Sequence, residues 1–114
     1  MVIKRGEIWW ASMEIQRGSE PGYRRPVVIV SSNAFNKSKI NTVLAVVITS
    51  NIKLSLAPGN LTLPKKGTGL SKESVVNVSQ IITLDKSFIT EKIGRLNPSQ
   101  LGELDEGLRL ILSI

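Results

Sequence analysis

The chain contains no cysteine and no histidine in its 114 residues, and its aromatic residues are two Trp, one Tyr and two Phe. Without cysteine there is no disulfide framework, no thiolate nucleophile and no cysteine metal site. Without histidine, the commonest general acid–base group and the commonest catalytic metal ligand are both missing. Any catalysis must rest on Arg, Lys, Asp, Glu, Tyr, Ser or Thr. Long apolar runs are missing too. The run "TVLAVVI" (42–48) is far too short to span a bilayer, and the opening residues meet charge at Lys4, Arg5 and Glu7. Neither an export signal nor a membrane span is expected, and a cysteine-free chain fits the reducing cytoplasm.

What is present is positive charge, unevenly placed. The net charge is +6, with +7 carried by residues 1–92 and −1 by residues 93–114. A polyanion such as nucleic acid suits the basic portion, and a plain solubility charge is the other reading. At 12.5 kDa the chain makes one domain, residues 1–114, that buries roughly two-thirds of its unfolded surface.

The hydrophobic pattern has a period near two over most of the length. "IKRGEIWWAS" (3–12) reads as a strand with Ile8 and Trp10 on one face and Trp9 on the other. On that alternation Trp10 is expected in the core, and Trp9 is left open. "MEIQRGSEPGYR" (13–24) is a long loop punctuated by Gly18, Pro21 and Gly22. "PVVIVSS" (26–32) and "TVLAVVITS" (42–50) are continuous β-branched runs, the mark of strands buried on both faces. A polar loop with one helical turn joins them. "NLTLP" (60–64) is a short strand, "KKGTG" (65–69) a turn, and "SVVNVSQIITL" (74–84) two short strands or one bent strand. Asp85 caps a helical turn over 85–89. In "NPSQLGELDEGLRLILSI" the period changes: Leu101, Leu104, Leu108, Ile111 and Leu112 share a helical face behind an Asn97 cap and Pro98. Five or more short strands and one final helix predict a β-rich α+β fold, a small antiparallel barrel with a C-terminal helix.

Functional groups belong at strand ends and in loops. Three places qualify: Arg24 and Arg25 entering the run at 26–32, Thr49 and Ser50 leaving the run at 42–50, and the loop with Ser19 and Glu20. If the two runs pair antiparallel, Arg25 and Thr49 meet at one rim. A guanidinium fork beside a hydroxyl suits a phosphate. In RNA the 2′-hydroxyl can attack the adjoining phosphodiester once the developing charge is stabilised, a reaction that needs no metal, cysteine or cofactor. The opposing reading is a surface ion pair and an ordinary turn. Tyr23, beside the arginines, is the better residue for stacking on a base. Lys65 and Lys66 are either a solvated turn or a contact to backbone phosphate.

Four stretches in register, "KRGEIWWA" (4–11), "GSEPGYRRPVVIVSSN" (18–33), "TVLAVVITSN" (42–51) and "SVVNVSQIITLDKSFITEKIGRL" (74–96), resemble the MazF/PemK toxins of bacterial toxin–antitoxin pairs. The likeness runs from Lys4 to about Leu112. It implies an SH3-like barrel with a C-terminal helix, acting as a homodimer. It also implies a sequence-specific, ribosome-independent endoribonuclease that cuts single-stranded mRNA to 2′,3′-cyclic phosphate and 5′-hydroxyl ends. Arg25, before Pro26, matches the family's catalytic arginine, and Thr49 matches its threonine. Glu20 in the Gly-Ser-Glu loop is the base candidate. Ser19, Tyr23, Arg24, Ser50, Asn51, Lys65 and Lys66 are the RNA-binding candidates. No metal or cofactor is implied. The implied partners are RNA and a small antitoxin with an acidic tail, with DNA contacted only through the antitoxin complex. The doubled arginine and the "GSEPG" loop depart from many members, so the cut sequence is not inherited. Two other readings stand beside this one: a gyrase-directed toxin like CcdB, whose C-terminal tryptophan the ending "LILSI" lacks, and a non-catalytic RNA-binding barrel.

Overall fold

The computed structural model describes residues 1–13 and 24–114. Among them, six strands form one antiparallel sheet: β1 (Glu7–Ser12), β2 (Arg24–Ile29), β3 (Thr42–Thr49), β4 (Leu61–Leu63), β5 (Ser74–Asp85) and β6 (Ile89–Arg95). Their spatial order is β4-β5-β3-β2-β1-β6. Helix α1 (Asn33–Lys37) joins β2 to β3, and α2 (Pro98–Leu112) follows β6. Tight 3-10 turns occupy Ile52–Leu56 and Lys86–Phe88. The sheet curls into a half-barrel, so the β-rich α+β architecture with a C-terminal helix agrees with the sequence.

The central strands behave as their unbroken β-branched runs require. Val28 of β2 and Val46 of β3 enter a core with Ile8, Val76, Leu104 and Leu108. Their neighbours Val27, Ile29, Val43 and Ala45 enter a second core on the opposite face with Trp9, Ala11 and Ile89. Trp9, left open by the sequence, is buried, and Trp10, expected in the core, is the half-exposed indole. Alternation put Trp10 beside Ile8 correctly, but the rim of the curled sheet ends the core between them.

Segment 74–84 is one bent strand. Val46 pairs with Ile81 but Ile48 with Val76, so residues 77–80 bulge from the ladder. Asn60 holds the bend, accepting from the Val78 N–H at 2.9 Å and donating to Asn77 Oδ1 at 3.1 Å. β6 was not anticipated. It is an edge strand whose Thr90, Glu91 and Lys92 are exposed, which leaves little apolar alternation to read. The Asp85 cap is present, with its carboxylate accepting from the Ser87 N–H at 2.8 Å. The Asn97 cap is present as well, and Gln100 completes a reciprocal capping box. On α2, Leu104 and Leu108 are buried, whereas Ile111 and Leu112 are 39% and 50% exposed because the last turn runs past the core.

The two helix glycines differ in kind. A Cβ on Gly107 would collide with the Gly59 carbonyl, so helix and loop touch backbone to backbone there; at Gly102 the space is open. Gly102→Ala is expected to stabilise the fold by up to about 1 kcal/mol through helix propensity. Gly107→Ala is expected to destabilise it by about 1–3 kcal/mol through overpacking. Urea titrations of both variants check this, and shifts of the same sign would contradict the contact.

Glu7 ties β1 to β6. Its carboxylate is buried, pairs with Lys92 Nζ at 2.7 Å, and accepts from the Lys4 N–H at 2.7 Å and from Trp9 Nε1 at 3.2 Å. Burial pushes this carboxyl up, but the hydrogen bonds from Lys92, Lys4 and Trp9, with the Lys92 charge, outweigh it and hold Glu7 below the usual value of 4.5. A depressed folded-state value adds stability above the unfolded value, which is lost as pH falls through the folded one. Comparison of Glu7→Gln with the parent chain should show the gap in melting temperature closing below about pH 4. A constant gap across pH would refute the linkage.

Candidate active site

β2 and β3 pair antiparallel, with Ile29 opposite Ala45, Val28 opposite Val46 and Val27 opposite Val47. Each step toward the start of β2 is a step toward the end of β3. The register therefore carries Arg25 to the level of Thr49, the juxtaposition expected from sequence. Both line one cleft of about 610 Å³ at this rim of the sheet.

Five strands and two connections build that cleft. β1 contributes Trp10, β2 contributes Arg24, Arg25 and Pro26, and β3 contributes Ile48 and Thr49. Ser50 and Asn51 follow β3, Ser74 opens β5 and Ile93 comes from β6. The remaining wall is the β4–β5 connection at Gly69, Leu70, Ser71 and Lys72. That connection is pressed onto β6: a Cβ on Gly69 would strike the Ile93 carbonyl, and one on Gly94 would strike that of Thr68. Gly69 also has φ +83°, a conformation open to glycine at little cost. Thr68, buried, braces the turn by donating from Oγ1 to the Pro64 carbonyl at 2.7 Å.

The electrostatics are one-sided. Arg24, Arg25 and Lys72 line the cleft, and no carboxylate is among its described lining residues. Arg24 lies over the Trp10 ring, its guanidinium carbon 4.9 Å from the centroid. Arg25 is half-buried. Thr49 Oγ1 accepts from the Asn51 N–H at 3.1 Å, which leaves its hydroxyl proton to donate. Asn51 in turn accepts from the Lys53 N–H and caps the following 3-10 turn. Such a cleft can hold an anion between a guanidinium fork and a hydroxyl. Among the described residues no cluster of three His, Cys, Asp or Glu side chains could hold a metal ion.

The structure thus brings together Arg24, Arg25, Thr49, Ser50 and Asn51. Lys65 and Lys66 sit on an exposed turn and do not line the cleft. Ser19, Glu20 and Tyr23 lie outside the described residues. Sequence reasoning missed Lys72 and Ser71, which follow the "KKGTG" turn directly. It also missed the cleft position of Trp10.

Residues 4–112 match the family described as PemK-like, MazF-like toxin of type II toxin–antitoxin system. The chain belongs to this toxin family. It is 46% identical to Endoribonuclease MazF6 of Mycobacterium tuberculosis over 114 residues, all of both chains. It is 31% identical to Endoribonuclease EndoA of Bacillus subtilis over all of this chain and 97% of that one. Among solved structures, MazE–MazF from Deinococcus radiodurans superposes with a TM-score of 0.84 at 29% identity, covering 100% of this chain and 98% of the other. The MazF/PemK resemblance drawn from four sequence stretches agrees with all three.

Proposed function

We propose that this toxin is a sequence-specific, metal-independent endoribonuclease that cuts single-stranded mRNA, leaves 2′,3′-cyclic phosphate and 5′-hydroxyl ends, and is neutralised by a cognate antitoxin. The observation that carries the reading is the convergence of Arg25 and Thr49, from two strands, in one cationic cleft. In the reaction the 2′-oxygen forms a bond to phosphorus while the bond from phosphorus to the 5′-oxygen breaks. The 2′-hydroxyl proton passes to a base, and the leaving oxygen gains a proton. Guanidinium, with a pKa above 12, is a poor base, so Arg25 binds the scissile phosphate and the charge growing on it. Thr49 donates its hydroxyl to a phosphate oxygen. Glu20, in the segment leading to β2, is the proposed proton acceptor.

The same family membership supports the remaining assignments. A cleft suited to one polyanion also suits an acidic antitoxin tail that competes with RNA, and DNA is reached through that complex. The apolar residues exposed at the end of α2, Leu110, Ile111, Leu112 and Ile114, support pairing with a second copy of the chain. Among the described residues no helix is long and apolar enough to cross a membrane, and a cytoplasmic site of action follows from mRNA as substrate.

Incubation with mRNA in EDTA should give discrete cuts ending in cyclic phosphate. Arg25→Ala should lose about 100- to 1,000-fold in rate, as removal of a transition-state donor does. Intact RNA, or full activity in Arg25→Ala, would overturn the reading. Lys72→Ala should lower the slope of log affinity against log salt by about 0.7, as loss of one single-strand phosphate contact requires, with Lys65→Ala changing it less. Equal slopes in the two variants would remove Lys72 from the binding surface.

A further inference from the structure

The cleft is chemically mixed. Trp10, Pro26, Ile48, Leu70 and Ile93 give its lining an apolar part. Cations and hydroxyls line it as well: Arg24 and Arg25 from β2, and Ser71 and Lys72 from the β4–β5 connection. A site for a bare phosphate needs no apolar part. A single nucleic-acid strand needs both parts, flat apolar surface for bases and positive charge for its backbone. Arg24 and Arg25 are adjacent on one strand, so they project to opposite faces of β2. Arg24 shares its face with Pro26, which stands across the ladder from Trp10. Its guanidinium consequently lies on the Trp10 indole at 4.9 Å instead of pointing with Arg25. This pairing holds one long, flexible side chain in place and offers a planar surface on its outer side. Guanidinium planes and indoles both stack on unpaired bases.

We propose that the Arg24–Trp10 stack is the platform for one unpaired nucleobase adjoining the phosphate held by Arg25 and Thr49, so that these two residues determine which sequence is cut. The proposal rests on the endoribonuclease reading above and assigns the pair a role separate from phosphate binding. Arginine is required at position 24 for its plane, and its charge alone is insufficient. The indole fixes that plane against the cleft wall.

The test uses a fluorescent 2′-O-methyl RNA carrying the cleavage sequence mapped for the parent toxin, which binds but has no free 2′-hydroxyl to react. A single abasic nucleotide is moved through the sequence, and binding is read by polarisation. For the parent toxin one abasic position beside the cut should weaken binding about 5- to 100-fold, the range for loss of one base stack. Trp10→Ala, Arg24→Ala and Arg24→Lys should each weaken binding of the intact RNA by a similar factor and lose little more at that abasic position. Trp10→Phe, which keeps a ring, should stay near the parent. Sequencing of cut ends should show preference relaxed at the same position in Trp10→Ala. If Arg24→Lys matches the parent throughout the scan, the group is a phosphate contact and the platform is wrong. An abasic penalty that persists in Trp10→Ala overturns it equally. Either result with cleavage intact sinks this proposal alone, whereas a parent toxin that leaves RNA uncut sinks it with the function it rests on.

Discussion

The antiparallel register between β2 and β3 is the constraint on which the site depends. Val27 and Val47 stand opposite one another inside the sheet, and neither is free to slip, because a one-residue shift would turn every buried side chain to the wrong face. Both strands are buried on both faces, so such a slip would spoil two cores at once. At the rim the same register delivers a guanidinium and a hydroxyl to one cleft. The backbone positions of the site are thus set by aliphatic packing well below it.

The rest of the fold completes the enclosure. β6 and the β4–β5 connection meet backbone to backbone at Gly69 and Gly94, which holds Leu70, Ser71 and Lys72 in the wall of the cleft that the arginines also line. Glu7 fastens β6 to β1 through Lys92, and α2 seals the concave core with Leu104 and Leu108. Arg5 links the strand side to that helix, pairing with Asp105 at 2.8 Å while its Nε donates to the Val30 carbonyl at 2.8 Å. These are contacts between elements far apart in sequence, and together they make a rigid frame around a cationic hollow.

Much of this was legible from residues alone. β-branched runs mark the two central strands, and strand neighbourhood alone places Arg25 near Thr49. Asn97 with Pro98 marked the start of α2, and Asp85 marked its own turn. The failures share a cause. Lys72 reaches the cleft because glycines let two backbones touch, a tertiary fact with no local pattern. Trp10 lies outside the core expected for it because alternation assigns a face but does not say where along the strand the core stops. β6 escaped notice because an edge strand with solvent on one side carries charges where a central strand carries valine.

A double-mutant cycle on cleavage measures whether Arg25 and Thr49 serve one phosphate, as proposed. The kcat/KM values of Arg25→Ala, Thr49→Val and the double variant are compared with the parent toxin. Groups serving one transition state are strongly non-additive, so the double variant should lose little beyond Arg25→Ala alone. Losses that multiply independently would show that the two side chains act at separate places and share no phosphate.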